Sequence, residues 1–228
     1  MRTATRVPAI SSPLPSRTPR SDRRTTIAGA LLGFTGIGIV MSILTNEAVY
    51  PAARHYSTFA NTISDLGGTV PPNSYMVQPN RLIFITTMAL AGAMVLAATA
   101  LLWRNLRPRR IVVGLGIFGA ALVGIAVFPG NVAIWHPLFA LTCFVAGGVT
   151  AIMSRRIFTG PARFFAVGLG TIALAATAAG LDPFANWWPQ ATIGIGGVER
   201  WIAYPVLLWM VLLGAALMTV GAHSRIRA

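Results

Sequence analysis

The sequence predicts an all-α integral membrane protein: a six-transmembrane-helix bundle, N-in/C-in, with a short interfacial helix in the first outer loop. Three observations predict it. Of the 228 residues, 55% are hydrophobic and 10% charged, with a mean hydropathy of +0.68, whereas ordinary globular chains carry about 25% charge. Six stretches without a charged side chain are long enough to cross a bilayer, which takes about 20 apolar residues. The net charge of +13 rests on 18 basic residues, all of them arginine, and these gather at the ends of the apolar runs.

The six stretches are Thr25–Asn46, Leu82–Trp103, Ile111–Trp135, Pro137–Ser154, Phe164–Leu181 and Trp201–Ala222. The third includes Phe128-Pro129-Gly130-Asn131, a turn signal that should end its helix near Val127. The runs are continuous rather than alternating, so a closed barrel is excluded. Orientation follows from the arginines. With both termini inside, fifteen fall on the cytoplasmic side, and only Arg54, Arg81 and Arg200 fall outside.

Residues 1–24 hold six arginines among Ser, Thr and Pro and read as a disordered basic cytoplasmic tail. Residues 25–222 form the transmembrane domain, and 223–228 a cytoplasmic C-terminal tail. A cleaved signal peptide is the competing reading for the start. The apolar run is longer than a usual 7–15-residue h-region, and no small-x-small site follows it. The single cysteine, Cys143, excludes a disulfide scaffold and sits inside helix 4 as a packing residue. Arginines placed at span ends, rather than on one solvated face, exclude a soluble nucleic-acid binder. The partners expected are the lipid bilayer and a lipid head group or small polar ligand at the outer face. No cofactor and no oligomeric state is specified.

Lipid gives no hydrophobic drive for helix association, so small residues should mark the packing faces. Candidates are Gly29 and Gly33 in helix 1, Ala89, Ala93 and Ala97 in helix 2, and Gly116, Ala120 and Gly124 in helix 3. No ionisable residue lies at mid-depth of a span, which argues against a proton relay or an ion-coupled pump through the spans.

Four of the five acids map to the outer segments, and the chemistry is expected there. In the first outer loop Tyr56, Phe59, Ile63 and Leu66 follow helical spacing, and Gly67-Gly68 should stop the helix. Asp65 then falls in a last turn, where the helix dipole disfavours a negative charge. Arg200, Arg81 or Arg54 is its expected partner. Asn131 lies in the second outer loop and His136 at the mouth of helix 4. In the third loop Glu199-Arg200 lead into Trp201, Tyr204 and Pro205, and should turn inward because a lone charge facing lipid is costly. Trp187-Trp188 read as aromatic belt.

Three motifs carry a resemblance. They are Tyr-Ser-x-x-x-x-x-Ile-Ser-Asp-Leu-Gly at Tyr56–Gly67, Phe128-Pro129 followed by His136, and Gly-x-x-Glu-Arg-x-x-x-Tyr-Pro at Gly196–Pro205. In that order they resemble an uncharacterised family of small bacterial and archaeal membrane proteins, catalogued as domain of unknown function nine hundred and ninety-eight. The resemblance spans helix 1 to helix 6 and leaves out the tail. It implies a multi-pass protein of the cell membrane with marked positions, and no activity.

The candidate ligand-binding residues are therefore Arg54, Ser57, Asp65, Arg81, Asn131, His136, Glu199, Arg200 and Tyr204. Two function classes fit them. One is a binding module whose outer pocket, built on Asp65, His136, Glu199 and Arg200, takes a lipid head group or small polar ligand, with guanidinium groups suited to an anion. The other is a membrane-embedded enzyme acting on a lipid or lipid-linked substrate at the outer leaflet. Its catalytic group would be a metal held by His136, Asp65 and Glu199, or a serine (Ser57 or Ser64) with His136 and Asp65. No metal-binding motif or nucleophile elbow accompanies them. A third reading is purely structural, with the charges pairing to lock the loops over the bundle.

Overall fold

The computed structural model describes residues 19–181 and 188–226. The N-terminal tail through residue 18, Asp182 and Trp187 lie outside the described residues. Six α-helices carry the fold: α1 (Pro19–Ala48), α2 (Asn80–Leu102), α3 (Arg109–Val127), α4 (Trp135–Met153), α5 (Ala162–Ala179) and α6 (Trp188–Ile226). All six are long and apolar enough to cross a membrane. With no strand among the described residues, the chain is an all-helical, multi-pass membrane protein.

Each helix packs on its neighbours in sequence, and α6 closes the ring by lying between α5 and α1. The α1–α6 seam depends on close backbone approach. A Cβ on Gly29 would stand 2.6 Å from the Gly214 carbonyl oxygen, and one on Gly214 would stand 2.5 Å from that of Gly29. Such approach is the expected device where lipid competes for apolar surface. On α2 the expectation fails: Ala89, Ala93 and Ala97 are exposed, and the packed face is Phe84, Met88, Ala91, Gly92, Val95 and Ala98. A run of small residues marks a packing face only when the larger side chains beside it also point inward. Ser42 and Thr87 share a hydrogen bond at 2.7 Å between α1 and α2.

The predicted spans coincide with helices, and α3 ends at Val127 as the Phe-Pro-Gly turn requires. Two boundaries differ in ways that matter for the site. The span in α6 begins at Gln190, well before Trp201, because Glu199 and Arg200 are buried and paired and so do not end the helix. The irregularity falls instead at Gly194, whose φ of 70° and ψ of 169° break α6 into two parts.

The second correction concerns the interfacial helix expected over residues 56–66. Only a single 3₁₀ turn forms, Ser64–Leu66, and Phe59 is 52% exposed rather than packed inward. Ile63 and Leu66 are buried. Local side chains explain the difference. The Ser57 hydroxyl accepts from the Phe59 N–H at 3.2 Å and the Asn61 side-chain oxygen from the Ser57 N–H at 3.0 Å, which diverts donors a helix would need.

Candidate functional site

The site lies at the end of the bundle that carries the α1–α2 loop. Its first part is built around Ser64. The Ser64 Oγ stands 2.9 Å from Nε2 of His136 and 3.0 Å from Oε1 of Glu199. Oε2 of Glu199 accepts from the backbone N–H groups of Ile63 and Ser64. The other imidazole nitrogen, Nδ1, stands 2.8 Å from the Phe128 carbonyl oxygen. Three elements thus meet at one serine: the α1–α2 loop, the start of α4 and α6. Each is placed for a local reason. His136 sits in the first turn of α4, held over Phe128 by the Phe-Pro-Gly turn. Glu199 lies just past the Gly194 break. His136 is 6% exposed and Glu199 8%.

Asp65 is the chief correction here. It occupies the first turn of its 3₁₀ segment, not the last turn of a helix. Its Oδ2 accepts from the Thr62 N–H at 2.9 Å, while the Thr62 hydroxyl oxygen accepts from the Asp65 N–H at 3.1 Å. This is the reciprocal pairing of a capping box, which starts a turn. Asn61 Nδ2 also donates to Asp65 at 3.3 Å. The carboxylate is therefore answered by amide donors at the start of the turn.

The second part is built on Arg200, 9% exposed. Nη2 donates to Glu47 Oε1 at 2.5 Å and to the Tyr56 hydroxyl oxygen at 2.7 Å. Nη1 donates to the carbonyls of Gly196 (2.7 Å), Asn61 (3.1 Å) and Thr58 (3.3 Å). The Tyr56 hydroxyl in turn donates to the Thr62 carbonyl at 3.0 Å. Burial pushes the Tyr56 phenol well above the ordinary tyrosine range, so it stays a neutral donor. One guanidinium thus fastens α1, the loop and α6 together.

The remaining candidates stand apart from Ser64. Arg81 Nη1 donates to the Gly67 carbonyl at 3.2 Å and to Asn131 Oδ1 at 3.0 Å, tying the first loop to the second. Arg54 stacks over the Tyr75 ring at 5.0 Å. Ser57 is exposed in its own turn. Tyr204 is half-buried and borders a shallow groove between α5 and α6 with Arg200 and Trp201. Among the described residues no three His, Cys, Asp or Glu side chains come together to hold a metal ion. Ser64 was a candidate only as a catalytic serine with His136 and Asp65, and the clamp partners Glu47 and Tyr56 were not among the ligand-binding candidates. The signals were present: Glu47 is an acid at the end of an apolar run, which demands a partner.

Beneath Ser64 lies a half-open, mainly apolar cavity of about 60 Å³. Ile39, Met88, Phe118, Cys143 and Val206 line its walls, and Ser64 and Glu199 are its polar residues. A wider groove of about 270 Å³ runs along the flank between α4, α5 and α6, edged by the exposed Leu141, Leu181 and Ile195. Ala140, Phe144 and Glu199 border both spaces.

A family model described as protein of unknown function (DUF998) matches residues 48–216, which hold every candidate site residue. No curated protein and no solved structure matches the chain.

Proposed function

The chain belongs to that family of unknown function, and from this premise we propose that it binds a membrane-borne amphiphile at the outer leaflet of the plasma membrane. The orientation rests on the arginine split, which places both termini in the cytoplasm and the Ser64 site outside. One observation carries the ligand class: Glu199 borders both the half-open apolar cavity and the groove on the flank. A ligand in that groove has its apolar part among Leu141, Phe144 and Ile202 and its polar end at Glu199 and Thr62. Most ligand sites have this composition, mainly apolar with a few polar groups that fix orientation. The polar contact is then made by Thr62 and Glu199, which line the groove, rather than by Arg81 and Arg200, which do not.

The test uses the full chain in phosphatidylethanolamine nanodiscs doped with a phospholipid carrying a photoactivatable group at its acyl terminus. Crosslinks should map to α4 and α6 around Phe144 and Ile202. Ala140→Trp, which fills the shared wall, should lose them while the protein melts at an unchanged temperature. Label spread evenly over the outer faces of all six helices, unaffected by Ala140→Trp, would refute the reading.

A second reading, hydrolysis of a lipid-linked substrate, draws on one observation: Ser64 Oγ lies 2.9 Å from His136 Nε2. A nucleophilic serine needs such a base. It also needs free amide donors for the oxyanion, and the Ile63 and Ser64 N–H groups already donate to Glu199. The binding reading is therefore the stronger. Labelling of Ser64 by a fluorophosphonate, absent in Ser64→Ala, would reverse that order.

A further inference from the structure

The three contacts Phe128 O···Nδ1, Nε2···Oγ and Oγ···Oε1 measure 2.8, 2.9 and 3.0 Å, and each needs one proton. The Phe128 carbonyl accepts only, so the first proton is on His136 Nδ1. Oε2 of Glu199 faces two backbone N–H donors, so any proton on the carboxyl is on Oε1. A neutral imidazole with Nδ1–H has a bare Nε2. Serine brings one proton, and an ionised carboxylate brings none. One proton cannot fill both remaining gaps. Leaving either empty would set two lone-pair atoms against each other inside a buried site, where an unmade hydrogen bond costs the desolvation of both groups.

One further proton closes the chain in two ways. In the first, imidazolium Nε2–H donates to Ser64 Oγ and the serine O–H donates to the Glu199 carboxylate. In the second, Glu199 Oε1–H donates to Oγ and the serine O–H donates to neutral Nε2. The two forms have the same charge and differ by a concerted shift: the Nε2–H bond breaks as Oγ–H forms, and the previous serine proton passes to Oε1. We infer that His136, Ser64 and Glu199 form a proton relay that holds one transferable proton, with its carboxyl end facing the cavity and the groove. Ser64 is the carrier in this arrangement, not a nucleophile. The relay can act as a general acid toward a ligand group that is unprotonated at neutral pH and docks at Glu199.

The surrounding charges leave the proton in place. From the loop, Asp65 is held by the Thr62 and Asn61 amides. From α1 and α6, Glu47 and Arg200 neutralise each other. From α2, Arg81 is bonded to Asn131 and Gly67. The inference does not depend on what fills the groove.

The test reads the proton directly in the full chain in nanodiscs at neutral pH. Histidine is ¹⁵N-labelled for NMR, and His136 is identified by its absence from a His136→Asn sample. Glutamate carboxyls are ¹³C-labelled for infrared spectroscopy; Glu47 and Glu199 are the only two. The wild type should show either a doubly protonated His136 or the carbonyl stretch of a protonated Glu199. In Glu199→Gln the amide N–H₂ can donate to Oγ, which closes the chain without the extra proton, so both signals should vanish from a folded protein. A wild type with one bare His136 nitrogen and only ionised carboxyl bands overturns the relay. So does a Glu199→Gln protein that keeps a doubly protonated His136.

Discussion

Glu199 reaches from α6 to Ser64 and takes both the serine hydroxyl, at 3.0 Å, and its backbone N–H, at 3.4 Å, together with the N–H of Ile63. A side chain from one helix thereby satisfies the start of a turn 135 residues earlier. Removing it leaves buried donors without partners. Glu199→Ala should lower stability by roughly 2–5 kcal/mol, the range for unmaking a buried polar network. Glu199→Gln keeps an acceptor for the amides and should stay within about 1 kcal/mol of the wild type. Thermal melting of both variants in one lipid environment checks the contrast.

Arg200 should be irreplaceable by lysine. Its Nη atoms donate to five acceptors on three segments, a geometry that a planar fork fits and a single ammonium does not. Arg200→Ala should cost about 3–5 kcal/mol because it strands Glu47, and Arg200→Lys should recover only a small part. Pairing Arg200→Ala with Glu47→Ala should cost less than the sum of the two. Additive losses would mean that the 2.5 Å contact contributes nothing.

Tyr56 should give the protein an alkaline limit. Burial raises its phenol pKa in the folded state, so the folded protein keeps the proton at a pH where the unfolded chain has lost it. With the folded value raised, stability is unaffected below the ordinary tyrosine value and falls above it. The contribution is at most about 1.4 kcal/mol per pH unit. Tyr56→Phe should remove that share of the slope in melts taken across the alkaline range, at the cost of the bond to the Thr62 carbonyl.

The helices were legible because charge-free runs and arginine-marked ends follow directly from the cost of burying charge in lipid. The meeting of His136 and Glu199 at one place was legible for the same reason. Residues 56–66 were misread because apolar spacing alone cannot see side chains competing for the backbone. Ser57, Asn61 and Thr62 each bond to main chain locally, and Asp65 closes a turn instead of needing an arginine. Arg200 was read toward Asp65 when its partner is Glu47, since pairing across helices depends on how α6 rotates after Gly194.

The arginine distribution predicts that the α1–α2 loop is outside the cell. Asn73 and Asn105 are both exposed, at opposite ends of the bundle, and Cys143 is buried. A cysteine at Asn73 should react with an impermeant reagent on intact cells, and one at Asn105 only after the membrane is opened. The native cysteine should stay silent. The reverse pattern would move the Ser64 site to the cytoplasmic leaflet.

Gly194 should prove as important to the site as the side chains that form it. Its φ of 70° and ψ of 169° suit glycine, and a Cβ there would stand 2.0 Å from the Phe59 carbonyl oxygen. Two residues on, the Gly196 N–H donates to that same carbonyl at 3.1 Å. The loop is thus seated on the break in α6 at Phe59, between Thr58 and Asn61, whose carbonyls reach Arg200, and ahead of Ile63 and Ser64, which reach Glu199. Gly194→Ala must lift the loop and so loosen both clusters at once. A loss of roughly 2–4 kcal/mol is expected from backbone strain and the displaced contacts together. Gly38→Ala, where a Cβ meets nothing within 4 Å, is the matched control and should be close to neutral. If Gly194→Ala melts with the control and the loop around Arg54 resists trypsin equally in both, the loop is not held by α6, and the site's geometry must have another origin.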